Sequence, residues 1–79
     1  MKPETHVVRG AELTGWTYTR SRNSVPMAYF RSDGKWASFC WFGRSQLFKV
    51  FVNGSGIGCT KTLEGLRVLA REARMRLEG

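Results

Sequence analysis

The chain has 79 residues, with 13 Lys and Arg against 6 Asp and Glu, a formal net charge of +7 and 42% hydrophobic residues. That length holds one small domain, and the longest apolar run falls far short of the roughly 20 residues a membrane helix needs. With no apolar signal core at the N-terminus and only two cysteines, the expectation is a soluble, cytoplasmic protein with free thiols and no membrane partner.

Residues 1–24 read as an irregular N-terminal arm, because Val7, Val8, Leu13, Trp16 and Tyr18 recur without a clear period. A strand near residues 5–9 or 16–20 is the most order this segment offers. Residues 25–79 read as the folded part, a sheet followed by a helix. Pro26 blocks a helix and suits the entry to an edge strand. Asp33-Gly34 is a strong two-residue hairpin signal, since both positions tolerate positive φ. It places a second strand over residues 35–41, and the turn at Phe42-Gly43-Arg44-Ser45 leads to a third over residues 46–52. The glycine-rich stretch 53–60 reads as a flexible connection. It is not a nucleotide-binding P-loop, because Thr60 rather than glycine precedes Lys61.

Thr60 or Thr62 caps the final helix, with Glu64 near the positive end of its dipole. At about 100° per residue, Leu63, Leu66, Leu69, Ala70, Ala73 and Leu77 fall in one stripe, while Val68 and Met75 point away. Arg67, Arg71 and Arg74 form a flank with Glu64 and Glu78, a solvated and self-paired face. The expected fold class is α+β: a three-stranded antiparallel β-meander packed on one C-terminal α-helix, with an irregular N-terminal arm.

The charge excess sits on the strands. In residues 20–49, Arg20, Arg22, Arg31, Lys35, Arg44 and Lys49 stand against Asp33 alone, a pattern that attracts polyanions. Alternation puts Trp36, Ser38 and Cys40 on one face and Ala37, Phe39 and Trp41 on the other. One helix buries only one face. The other is either covered by the arm or presents Tyr29, Phe39, Trp41 and Leu47, interleaved with Arg31, Arg44 and Lys49, to phosphates and bases. Catalysis has little support, because His6 is the only histidine, the acids form no evident pair, and Cys40 has no assignable base. Two distant cysteines and one histidine do not make a zinc site, and no cofactor is expected.

The run Arg31-Ser32-Asp33-Gly34-Lys35-Trp36-Ala37-Ser38, then Phe42-Gly43-Arg44, then Phe51-Val52, then the segment from Thr62 through Ala70 and Ala73 to Arg74 resembles the APETALA and ethylene-response-factor type of DNA-binding domain. The likeness includes relatives in phage and mobile elements and covers about residues 20–79. It implies a sheet lying in the major groove of double-stranded DNA with the helix behind it. By the same resemblance Trp36 and Cys40 face the helix, and Tyr29, Arg31, Phe39, Trp41, Leu47 and Lys49 face outward. Several outward positions where that family carries Arg or Glu are aromatic or aliphatic here, and Met27-Ala28 stands where Gly-Val is usual.

Two functional expectations follow. The first is a small basic DNA-binding protein, a transcriptional regulator or recombination accessory factor associated with the nucleoid. In it Arg20 and Arg22 track phosphates, while Tyr29, Arg31, Lys35, Phe39, Trp41, Arg44 and Lys49 form the interface. The alternative is a protein-binding or inhibitory module, phage-encoded, that sets its aromatic sheet face on an acidic protein partner. A homodimer burying that face is a variant of the alternative.

Overall fold

Two dipeptides set much of this architecture. Asp33 and Gly34 have φ of 49° and 77°, and Asn53 and Gly54 have φ of 51° and 85°. Two consecutive positive φ values give the hairpin turn whose twist matches the strands it joins. The computed structural model describes residues 3–78, with side chains described from Val7 onward; the side chain of His6 lies outside the described residues. The elements are α1 (Pro3–Gly10), β1 (Thr17–Arg20), β2 (Pro26–Ser32), β3 (Lys35–Phe42), β4 (Leu47–Val52), β5 (Ser55–Thr60) and α2 (Leu63–Glu78).

The expected fold is corrected on three points. The sheet has five strands rather than three, in the order β1-β2-β3-β4-β5, each antiparallel to the next. The arm is ordered: the strand offered near residues 5–9 is instead the helix α1, and the one offered near 16–20 is β1. A proline at the first helical position starts α1 in φ that suits a helix, and Val8 within it and Ala11 just after it are buried. The glycine-rich stretch is a strand rather than a loop. Asn53-Gly54 turns the chain back so that β5 covers the edge of β4, and the register shifts between Val50 and Phe51. That shift leaves Ile57 as the extra residue of a bulge, partly buried against the core. Low strand propensity is overridden by packing here. A Cβ on Gly58 would stand 3.0 Å from Leu69 Cδ2, so glycine lets α2 cross close over β5.

Both helices pack on one face of the sheet. The core joins Val8, Ala11 and Trp16 to Ala28, Ala37, Phe39, Trp41, Phe48 and Val50 from the strands, and to Leu66, Ala70, Ala73 and Leu77 from α2. Small residues at Ala70 and Ala73 bring the helix near the sheet, where Phe39 lies 5.2 Å from Trp16 and 6.1 Å from Phe48 between ring centroids. The helix stripe is as its spacing predicts, except that Leu63 is exposed and Leu69 only partly buried. Arg67 and Arg74 are not only solvated. Arg67 Nε donates to the Ala11 carbonyl at 3.4 Å and Arg74 Nη1 to the Thr14 carbonyl at 3.2 Å. They tie α2 to the segment between α1 and β1, and Arg74 also lies over the Phe30 ring at 4.7 Å.

Thr62 caps α2, its Oγ1 accepting from the Gly65 N–H at 3.0 Å. A Cβ on Gly65 would come within 3.0 Å of both Thr60 Cβ and Thr62 Oγ1. Gly65→Ala should therefore destabilise the protein by about 1–3 kcal/mol, although alanine is worth about 1 kcal/mol more than glycine in an open helix. Urea denaturation checks this: the midpoint should fall with an unchanged slope, and a rise in midpoint would disprove the clash.

Candidate functional site

The face of the sheet opposite the helices is covered by no element among the described residues, and cross-strand register fixes its composition. Ser32 pairs with Lys35 across the Asp33-Gly34 turn, so Arg31 pairs with Trp36, Tyr29 with Ser38 and Met27 with Cys40. On the other side of β3, Ser38 pairs with Phe51, Cys40 with Lys49 and Phe42 with Leu47. Thr17 and Thr19 of β1 extend the same face beside Tyr29 and Met27. The result is a surface of Tyr29, Trp36, Phe42 and Phe51 with Arg31 and Lys49 among them, and none of these strand positions is acidic.

Here the outward set expected from the sequence is corrected. Tyr29, Arg31 and Lys49 do lie on the open face, and Leu47 lies there at its end. Phe39 and Trp41 are buried against the helices, and Trp36 and Cys40 take the open face instead. A two-residue hairpin admits no other arrangement, because strand residues that face each other across the turn share a side. Lys35 and Arg44 are exposed at opposite ends of β3, Lys35 at its start and Arg44 in the turn after it. Arg20 donates to the Ser24 carbonyl at 2.7 Å, holding the β1–β2 loop, and Arg22 is exposed in that loop. Thr17 and Thr19, which nothing singled out in the sequence, belong to the face, and so do Phe42 and Phe51, which the sequence offered only as parts of the family-like motif. The hairpin register, carried across one strand at a time, is the signal that finds them.

The two cations are held by rings rather than by carboxylates. The Arg31 guanidinium lies 5.3 Å from the Tyr29 ring centroid, and Lys49 Nζ lies 5.3 Å from that of Phe42. The ion pairs among the described residues, Arg74–Glu78 at 3.1 Å and Arg76–Glu72 at 3.2 Å, sit on α2. Cation–π contact leaves the charge on the open face unneutralised and keeps its N–H donors available. Met27, Tyr29, Arg31 and Trp36 line a cleft of about 240 Å³ on this face. Trp36 is 40% exposed, and its backbone is pinned to the β4–β5 turn, the Trp36 N–H donating to Asn53 Oδ1 at 3.0 Å and the Asn53 N–H to the Trp36 carbonyl at 2.7 Å. A cleft of about 270 Å³ on the helix side is also rich in arginine, but Glu12 lines it too and Arg67 and Arg74 are committed to carbonyls there.

Compared with known protein families, curated proteins and solved structures, the chain matches none. What the open face can bind is therefore read from its own chemistry. Among the described residues no helix is long and apolar enough to cross a membrane, and no cluster of His, Cys, Asp or Glu is placed to hold a metal ion.

Cys40 and Cys59 both pair with Lys49, one on each side of it. Two strand spacings, roughly 10 Å, separate them, beyond the reach of a disulfide, and both are free. Burial pushes the Cys40 thiol up from its ordinary value, whereas Cys59 is exposed. Because the thiolate is the nucleophile, iodoacetamide at mildly alkaline pH should label Cys59 first. Cys40 should lag, and the lag should shrink as the pH is raised. Mass spectrometry of timed samples checks the order, and simultaneous labelling would contradict it.

Proposed function

We propose that the protein binds nucleic acid through the open face of its five-stranded sheet. One observation carries this reading: the face interleaves Arg31 and Lys49 with Tyr29, Trp36, Phe42 and Phe51 and contains no acid at its strand positions. Phosphates are attracted to cations set among rings instead of carboxylates, and bases have planar π-faces for those rings. Lys35 and Arg44 add positive charge at the two ends of β3, Lys35 at its first residue and Arg44 in the turn after it. Arg20, occupied with Ser24, serves the β1–β2 loop.

The test is a salt titration of binding to labelled oligonucleotides, single- and double-stranded, with the native protein and with Arg31→Ala. Binding should weaken linearly on a logarithmic plot as salt rises, and the variant should lower the slope by about 0.7–0.9, the amount expected when one phosphate is no longer neutralised. Binding to neither form, or binding indifferent to salt and to Arg31, would reject nucleic acid and direct attention to an acidic protein partner.

A further inference from the structure

Resting on that reading, the geometry points to a narrower ligand: we infer that the open face prefers single-stranded nucleic acid, with an unpaired base seated in the cleft of Met27, Tyr29, Arg31 and Trp36. Three observations converge on this. The first is the width of the sheet. Five strands at about 4.8 Å spacing place β1 and β5 roughly 19 Å apart, whereas the major groove is about 12 Å wide and admits a helix or a two-stranded ribbon. A duplex therefore meets this face at its rim, while a single strand can lie across it.

The second is the kind of apolar surface. In a duplex the π-faces of the bases are stacked on one another and only their edges and the phosphates are presented. Flat aromatic side chains gain affinity from bases whose faces are free. The part of the sheet centred on Ser38 suits such contact: Ser38 is a small buried residue, 3% exposed, with the aromatic residues Tyr29 and Phe51 as its cross-strand neighbours on either side. A Cβ at Gly56 would meet Phe51 at 3.8 Å, which places that ring along β5 and broadens the platform.

The third is the cleft itself. Its volume of about 240 Å³ is bounded by a thioether, a phenol and an indole, with the Arg31 guanidinium against Tyr29 at 5.3 Å. A planar heterocycle stacked there leaves its phosphate next to Arg31. Lys49, at the other end of the face beside Phe42, is placed for a phosphate further along the same strand.

The experiment uses fluorescein-labelled 12-mers of deoxythymidylate and uridylate, and a duplex of equal length, at about 0.1 M salt. Trp16 and Trp41 are buried while Trp36 is exposed, so quenching of tryptophan emission on binding reports Trp36. The expected result is at least about tenfold tighter binding of a single strand than of duplex. Trp36→Ala should weaken the single strand by about ten- to a hundredfold and leave duplex binding within about threefold, with circular dichroism confirming that the variant is folded. Duplex binding equal to or tighter than single-strand binding would overturn this inference while leaving the proposed function standing. Binding of neither would remove both. A single-strand preference that survives Trp36→Ala and Tyr29→Ala unchanged would overturn the cleft as the seat of the base.

Discussion

Phe39→Ala should leave most of the protein unfolded at room temperature. Phe39 is fully buried at the centre of the sheet, between Trp16 and Phe48 and beneath α2. Truncating a buried phenylalanine costs about 3–5 kcal/mol, part of it transfer energy and part the cavity left behind. A domain of this size has a net stability of only about 3–5 kcal/mol when a small core is its sole support, so the loss is comparable with the whole. The cavity cannot close easily, because the residues around it sit in separate parts of the chain: Trp16 ahead of β1, and Phe48 and Val50 on β4. Thermal denaturation followed by near-ultraviolet dichroism checks the result. A variant that melts within a few degrees of the native protein would mean that Phe39 is not central to the core. The same experiment bears on binding studies, since failure of Phe39→Ala or Trp41→Ala to bind a ligand reports unfolding rather than a missing contact.

The sequence made β2, β3, β4 and α2 legible because their signals are local. Asp33-Gly34 announces a hairpin, and the apolar stripe from Leu66 to Leu77 has helical spacing. The other strands, β5 and a β1 that the sequence offered only as one of two alternatives, depend on contacts distant in the chain. β1 is four residues long, TYTR, and becomes a strand by pairing with β2. β5 carries glycine where a strand usually carries a β-branched residue, and it is held by the β4 edge on one side and by Leu69 above Gly58. Reading residues 53–60 by glycine content hid Asn53-Gly54, which is as strong a hairpin signal as Asp33-Gly34. The face assignment failed for a different reason. Alternation within β3 correctly separates Trp36, Ser38 and Cys40 from Ala37, Phe39 and Trp41, but it does not say which set is buried. The pairing across the Asp33-Gly34 turn decides, because it places Tyr29 and Arg31 with Trp36 and not with Phe39. A face that holds an arginine without a carboxylate is the wetter one.

Reversing charge on one side of the molecule should affect nucleic-acid binding far more than the same reversal on the other. Arg31→Glu with Lys49→Glu changes the open face, and Arg71→Glu with Arg76→Glu changes α2; the alteration in net charge is identical. If only the overall field of a +7 protein mattered, the two double variants would bind alike. With the open face as the interface, the first pair removes two cations from the phosphates and sets two repelling carboxylates in their place. Single-strand affinity at about 0.1 M salt should then fall at least tenfold, and the salt slope by about 1.4, near 0.7 for each phosphate. The second pair removes an exposed Arg76–Glu72 ion pair, worth about 0.2–0.5 kcal/mol of helix stability, and should change affinity by no more than about threefold. All four residues are at the surface, and the cation–π pairs of Arg31 and Lys49 are at exposed positions, where each is worth about 0.5–1 kcal/mol, so both variants should remain folded. Fluorescence anisotropy across a salt series, with the melting temperature recorded for each variant, separates the cases. Equal weakening by both pairs would strip the open face of its special role and leave a basic protein that attracts polyanions from any side.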